Sequence, residues 1–199
     1  MDNIEIKNSM GNGAILTVSN VRVLRPFEVK ELVKAIPQKY SKTQFEALLY
    51  SGCRYVELQR LKEKPDMYEQ SNGRIHLNSY AIRKSKIKMK ERYVILNPVG
   101  RRVIEAYIEL EKELPDHNTW RNDLTRWAQL ANIDGRRLSP KTTRKTLESW
   151  LVTTYPQLTN IIFLSQGHNA LTALQYYVTL PFTQQDKLEM KEFVYGWEP

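Results

Sequence analysis

The chain has 199 residues and a single cysteine, Cys53. One thiol cannot build an internal disulfide framework or a cysteine zinc cluster, so a reducing compartment is expected. Three histidines occur, none in a His-x-x-x-His pair, and no glycine-rich loop joins a strand to a helix. No metal and no other cofactor is therefore expected. No apolar run reaches the roughly 20 residues of a membrane-spanning helix. The N-terminus lacks the basic-then-apolar layout of a secretory leader, so the expected location is cytoplasmic, with no membrane partner. Acid is the minority charge: 22 Asp and Glu against 30 Lys and Arg give a net charge of +8. A soluble protein this basic favours a polyanionic partner, most simply nucleic acid.

What is present fits one domain, since 41% apolar residues suffice for a core. Residues 1–20 carry Gly11, Gly13 and several Asn without periodicity and read as an N-terminal tail or linker. Pro26 suits a first helical turn, with Phe27, Leu32 and Ile36 at near-helical spacing before Pro37. Ser41 to Gln44 has the form of a capping box for a second helix, which Ser51-Gly52 breaks before a third begins at Arg54. Residues 75–82 and 91–96 read as two strands of a small antiparallel sheet flanking a basic segment. Beyond Gly100 the spacing predicts helices over 101–114, 119–131 with a cap at Thr119, 139–154, 169–178 and 184–195, with a short apolar stretch at 160–165.

Three basic clusters stand out. Arg54 follows the helix-ending Gly52 and is aimed by a turn, so its planar fork can meet a phosphate; a solvated arginine at a helix start is the plainer reading. Lys84, Lys86, Lys88 and Lys90 alternate, which in an extended chain puts all four on one side. Such a ribbon fits a nucleic-acid groove, and equally an edge hairpin guarded against aggregation. Lys141 and Arg144 lie three apart in the first turns of a helix, where two cations are unfavourable unless an anion sits beside them. His76 falls in a predicted strand and His117 in a loop, whereas His168 follows Gly167 at a helix start.

Taken in order, S-G-C-R-Y-V-E-L from Ser51, the basic segment 84–90, K-T-T-R from Lys141, Q-G-H ending at His168 and Tyr177 resemble the catalytic domain of the tyrosine recombinases, the phage-type integrase family. The family pattern runs T-G-x-R-x-x-E-L, a hairpin lysine, H-x-x-R, L-G-H and a tyrosine. The match spans about residues 24 to 180. It implies an α+β fold, mostly helical with a small antiparallel β-sheet, over residues 21–199. Lys141 stands where many members have histidine, which is similar to the integrases of archaeal viruses and plasmids. The family's N-terminal core-binding domain has no counterpart in the 20 leading residues.

The resemblance implies a site-specific recombinase that cleaves and rejoins double-stranded DNA through a covalent 3′-phosphotyrosyl intermediate, acting as a homo-tetramer on DNA and a monomer in solution. Tyr177 is then the nucleophile and Tyr176 a packing or flanking aromatic. Arg54 and Arg144 neutralise the transition state, Lys86 protonates the leaving oxygen with Lys84 and Lys88 as alternatives, and Lys141 and His168 donate to phosphate oxygens. Glu57 is expected to orient the basic groups. The last helix, with Leu188, Phe193 and Val194, packs on a neighbouring protomer or on its own domain. Strand relaxation of the type IB topoisomerase kind and a non-catalytic DNA-binding protein are the competing readings.

Overall fold

The computed structural model describes residues 15–78, 91–167 and 180–199. Two strands, β1 (Leu16–Val18) and β2 (Val21–Val23), precede α1 (Pro26–Ala35), α2 (Lys39–Ser51) and α3 (Tyr55–Glu63). Then come β3 (Tyr68–Glu69), β4 (Arg74–Leu77), β5 (Arg92–Ile95), α4 (Pro98–Glu109) and α5 (His117–Leu130). The chain closes with α6 (Thr142–Thr154), α7 (Thr159–Gln166) and α8 (Gln184–Val194). The architecture is α+β and mostly helical: β1 and β2 form a hairpin, and β3-β4-β5 an antiparallel sheet in which Leu77 pairs with Arg92.

Local chemistry sets most boundaries. Pro26 and Pro98 occupy first-turn positions, where a missing N–H costs nothing. The Asn97 side chain accepts from Gly100 N at 2.7 Å and Asp116 accepts from Asn118 N and Thr119 N, satisfying amides that a helix start leaves open. A capping box at α8 runs from Thr183 to Asp186.

Several expectations are corrected. Ser41 is buried inside α2, which begins at Lys39, because the chain turns helical directly after Pro37. The cap of α5 is Asp116, not Thr119, and the apolar stretch at 160–165 is the helix α7. Helix α4 starts at Pro98 and ends at Glu109, inside the predicted 101–114 at its C-terminal end. Where an irregular tail to residue 20 is expected, Leu16 opens a hairpin whose two-residue turn puts Ser19 and Asn20 at φ 49° and 64°, the twist that a two-residue loop requires. Leu16, Val18 and Val23 are buried.

Helix α6 is the central post, packed by β2, α2, α7 and α8. Its Thr146 hydroxyl accepts from Leu24 N at 3.0 Å, and Trp150 Nε1 donates to Leu24 O at 3.1 Å, so the hairpin's exit is bonded to the post. The C-terminus packs on its own domain: Met190 and Val194 are buried, Lys30 pairs with Glu189 at 2.8 Å, Asn97 Nδ2 donates to Phe193 O, and Trp197 Nε1 donates to Ile95 O. Leu188 stays exposed.

Trp150 is fully buried, so Trp150→Ala should cost about 3–5 kcal/mol, read as a shift in the denaturant midpoint. Trp150→Phe, which keeps an aromatic but loses the bond to Leu24, should cost clearly less.

Candidate active site

Helix α2 ends in Gly52, whose φ of +60° terminates the helix in the left-handed conformation. A Cβ there would be strained by the positive φ and would stand 2.6 Å from Gln166 Oε1, displacing that side chain. Two residues later Arg54 caps α3. Its backbone N donates to Glu57 Oε2 at 2.7 Å and its Nη1 to Glu57 Oε1 at 2.7 Å, while Nη2 reaches Gly167 O at 3.5 Å. The Arg54 side chain is 36% exposed and Glu57 is buried.

Arg92, the first residue of β5, projects inward where Tyr93 projects outward. Its Nη2 holds both oxygens of Glu57 at 2.8 Å and its Nε donates to Ser165 O at 3.0 Å. Gly167, the C-cap of α7, has φ +68°, where a side chain is strained, and an added Cβ would press on the Arg92 side chain at 3.0 Å. The arginine thus holds the end of α7 by one bond and by exclusion.

Arg144 comes from α6 and is 5% exposed. Its Nη1 donates to Gly52 O at 2.9 Å, its Nη2 to Gln166 O, and its Nε pairs with Glu148 at 3.1 Å. Glu148 also receives Lys145 at 3.0 Å. The negative partner required beside cations at this helix start is therefore Glu148, one turn on. Among the described residues, four cations, Arg54, Arg92, Arg144 and Lys145, face the two carboxylates Glu57 and Glu148.

Burial pushes the Glu57 carboxyl up, but Arg92, Arg54 and Arg144 outweigh it and hold the group below its ordinary value of 4.5. Burial pulls Arg144 below the ordinary arginine range, with Glu148 opposing. Burial also raises the Cys53 thiol to about 11, which makes it inert as a nucleophile although it sits between Gly52 and Arg54.

The structure brings Arg54 and Arg144 to one place, on either side of the turn at Gly52 and the end of α7. Lys141 shares α6 with Arg144 but not its surroundings: it is the exposed N-cap, on the wall of a neighbouring cleft. Lys86, with its alternatives Lys84 and Lys88, and His168, Tyr176 and Tyr177 lie outside the described residues. Their attachment points are described. The connection bearing the lysines leaves from Leu77 and returns at Arg92, and His168 follows Gly167, whose carbonyl accepts from Arg54. His117 is the first residue of α5, its ring edge-on to Tyr55, and His76 stacks on Tyr93.

Arg92 escaped the sequence reading because it closes a run of lysines and looks like one more solvated charge. The available signal was period two: Arg92, Val94 and Leu96 alternate with exposed Tyr93, which places a charge on the buried face of a strand.

No family model matches the sequence and no curated protein is significantly similar to it. Solved structures are similar in fold. The chain aligns with the XerA recombinase at a TM-score of 0.61 and 18% identity, over 85% of this chain and 64% of that one. It aligns with the Tn1549 transposon integrase in complex with circular intermediate DNA at 0.66 and 16%, over 88% and 68%. A second structure of that integrase, with transposon right end DNA, gives 0.63 and 15%, over 88% and 66%. The chain has the fold of the tyrosine recombinase catalytic domain and spans about two thirds of the length of these structures.

Because the folded-state value of Glu57 lies below 4.5, its stabilising contribution is complete above that pH and is lost as pH falls through the depressed value. Glu57→Gln should remove this component of acid unfolding. At pH 7 it should cost about 3–5 kcal/mol in denaturant melts, since it leaves buried Arg92 without its counter-charge.

Proposed function

We propose that this chain is the catalytic domain of a site-specific DNA recombinase of the tyrosine class, cleaving and rejoining strands through a 3′-phosphotyrosyl intermediate. The observation that supports it best is the convergence of Arg54 and Arg144 around the Gly52 turn and the end of α7. That arrangement suits a phosphodiester whose negative charge grows in the transition state. The neighbours in fold that were solved with DNA support the same reading.

In the proposed reaction the Tyr177 phenol releases its proton to solvent as its oxygen bonds to the scissile phosphorus, and the bond to the 5′-oxygen breaks. That oxygen takes a proton from Lys86, or from Lys84 or Lys88 on the same segment. The phosphodiester energy stays in the protein–DNA link, so a strand's 5′-hydroxyl can reverse the step without a nucleotide cofactor. Half-exposed Arg54 presents N–H groups to the phosphate. Arg144, whose fork is engaged by the Gly52 and Gln166 carbonyls, acts as fixed charge behind it. Lys141 and His168 donate to non-bridging oxygens, and Glu57 keeps Arg54 oriented.

Duplex DNA is the partner, and the resemblance extends to a homo-tetramer assembled on it in the host cytoplasm. Lysine at position 141 keeps the integrases of archaeal viruses and plasmids as the branch most similar in motif. Among the described residues no helix is long and apolar enough to cross a membrane.

With a nicked duplex, Tyr177→Phe should abolish the denaturant-resistant protein–DNA adduct while leaving affinity nearly unchanged, and Tyr176→Phe should retain it. Adduct formation by the Tyr177 variant at the wild-type level overturns the nucleophile. Arg54→Ala and Arg144→Ala should each lower cleavage about 10²–10³-fold, far more than binding. An equal fall in both would make these arginines binding contacts only.

A further inference from the structure

Beside the arginine site the structure holds a cleft of about 600 Å³. Its walls come from the turn of the β1–β2 hairpin (Ser19, Asn20), the first turns of α5 (His117, Arg121) and the loop into α6 (Arg137, Lys141). Among the described residues no aspartate or glutamate lines it. Arg121, Arg137 and Lys141 are exposed and make no ion pair among the described residues. The contrast with their neighbours is sharp: Arg126 is paired to Asp123 at 2.8 Å and Arg136 to Asp134 at 2.6 Å, each within its own turn. Asp116, the nearest acid on α5, is engaged by the Asn118 and Thr119 amides.

Arg137 also carries a conformation that argues for selection of its side chain's position. Its φ is 62°, in the left-handed region that L-residues other than glycine and asparagine rarely occupy. The surroundings impose it. Arg22 N donates to Arg137 O at 3.1 Å, and Leu138 next in the chain is buried. Glycine would satisfy that backbone more easily, yet the position holds an arginine turned towards a cleft with two other cations.

We propose that this cleft is a second phosphodiester subsite, which seats the backbone of duplex DNA next to the phosphate held at Arg54. The proposal rests on the reading of the chain as a DNA-cleaving domain and extends it to a named surface. Lys141 joins the two places, since it lines the cleft and stands three residues before Arg144 on α6. Those two positions are separated by about 4.5 Å of helix axis, so the two sites are near enough to meet neighbouring phosphates of one strand. A strand running along the start of α6 passes from one site to the other. Arg121 and Arg137 then neutralise the flanking phosphates, and the small Ser19 and Asn20 side chains leave room for the sugar–phosphate chain.

The test is duplex binding by fluorescence anisotropy across a range of salt concentrations, with wild type, Arg121→Gln/Arg137→Gln and the control Arg126→Gln/Arg136→Gln. Each neutralised phosphate contributes about 0.9 to the slope of log affinity against log salt, so the cleft variant should lose nearly two units of slope. The control should lose none, and adduct yield per bound complex at saturation should be unchanged in both. Arg137→Gly checks that folding is not the cause: it should melt no lower than wild type and still lose about one unit of slope. An unchanged slope in the cleft variant overturns the subsite, as does an equal loss in the control, which would report net charge alone. A loss seen with duplex RNA and not duplex DNA overturns the assignment to DNA. Wild-type protein that binds duplex but forms no adduct overturns the proposed reaction and leaves the subsite standing; no duplex binding at all overturns both.

Discussion

The Glu57 carboxylate is the interaction on which the arginine site depends. Both of its oxygens are taken by Arg92, one by the Arg54 guanidinium and the other by the Arg54 backbone. A buried carboxylate is unfavourable by itself and becomes tolerable only when its hydrogen-bonding capacity is met by fixed donors. Meeting it here ties together three elements distant in sequence: the start of α3, the edge of β5 and, through Arg92 and Ser165, the end of α7. Removal of the carboxylate would leave three arginines facing one another with only Glu148 nearby, and their mutual repulsion would open the site.

That dependence explains why two glycines are needed close by. Gly52 and Gly167 each lie in the left-handed region, and each faces a side chain within contact range of an added Cβ, Gln166 in one case and Arg92 in the other. The turn after α2 and the cap of α7 can therefore approach until the carbonyls of Gly52 and Gln166 both accept from Arg144. Backbone acceptors do for Arg144 what Glu57 does for Arg54. They fix the cation's position, with Glu148 as its counter-charge, so the field is oriented before any anion arrives.

The sequence made the local half of this legible. Arg54, Glu57, Arg144 and the glycines stand in short motifs whose spacing is fixed by a helix start or a helix end, so the residue types could be read from the chain alone. The convergence could not be read, because Arg54 and Arg144 meet through the packing of α2, α6 and α7, and no local pattern encodes that packing. The resemblance supplied it instead. Arg92 was lost for a different reason: in a segment dense with lysine, a buried arginine differs from a solvated one only by the parity of its position in a four-residue strand. The hairpin at Leu16–Val23 was missed because its turn residues, Ser19 and Asn20, are as common in tails as in turns, and three-residue strands carry too little alternation to register.

Lys141 shows how far spacing alone can carry an argument. Three residues apart on a helix predicts a common face with Arg144, yet Lys141 is the exposed N-cap and lines the cleft, whereas Arg144 is buried. The two cations therefore serve different surroundings, one sealed beneath the Gly52 turn and one open to the cleft with Arg121 and Arg137. A helix start that holds a buried cation and an exposed one has a preferred direction for an anion: approach from the solvent side meets the exposed lysine first and the fixed charge after it. Since the buried charge is already balanced in part by Glu148, the affinity of that approach falls mainly to the exposed cations, and in the proposed reaction Arg54 and Arg144 act on the phosphate once it is seated.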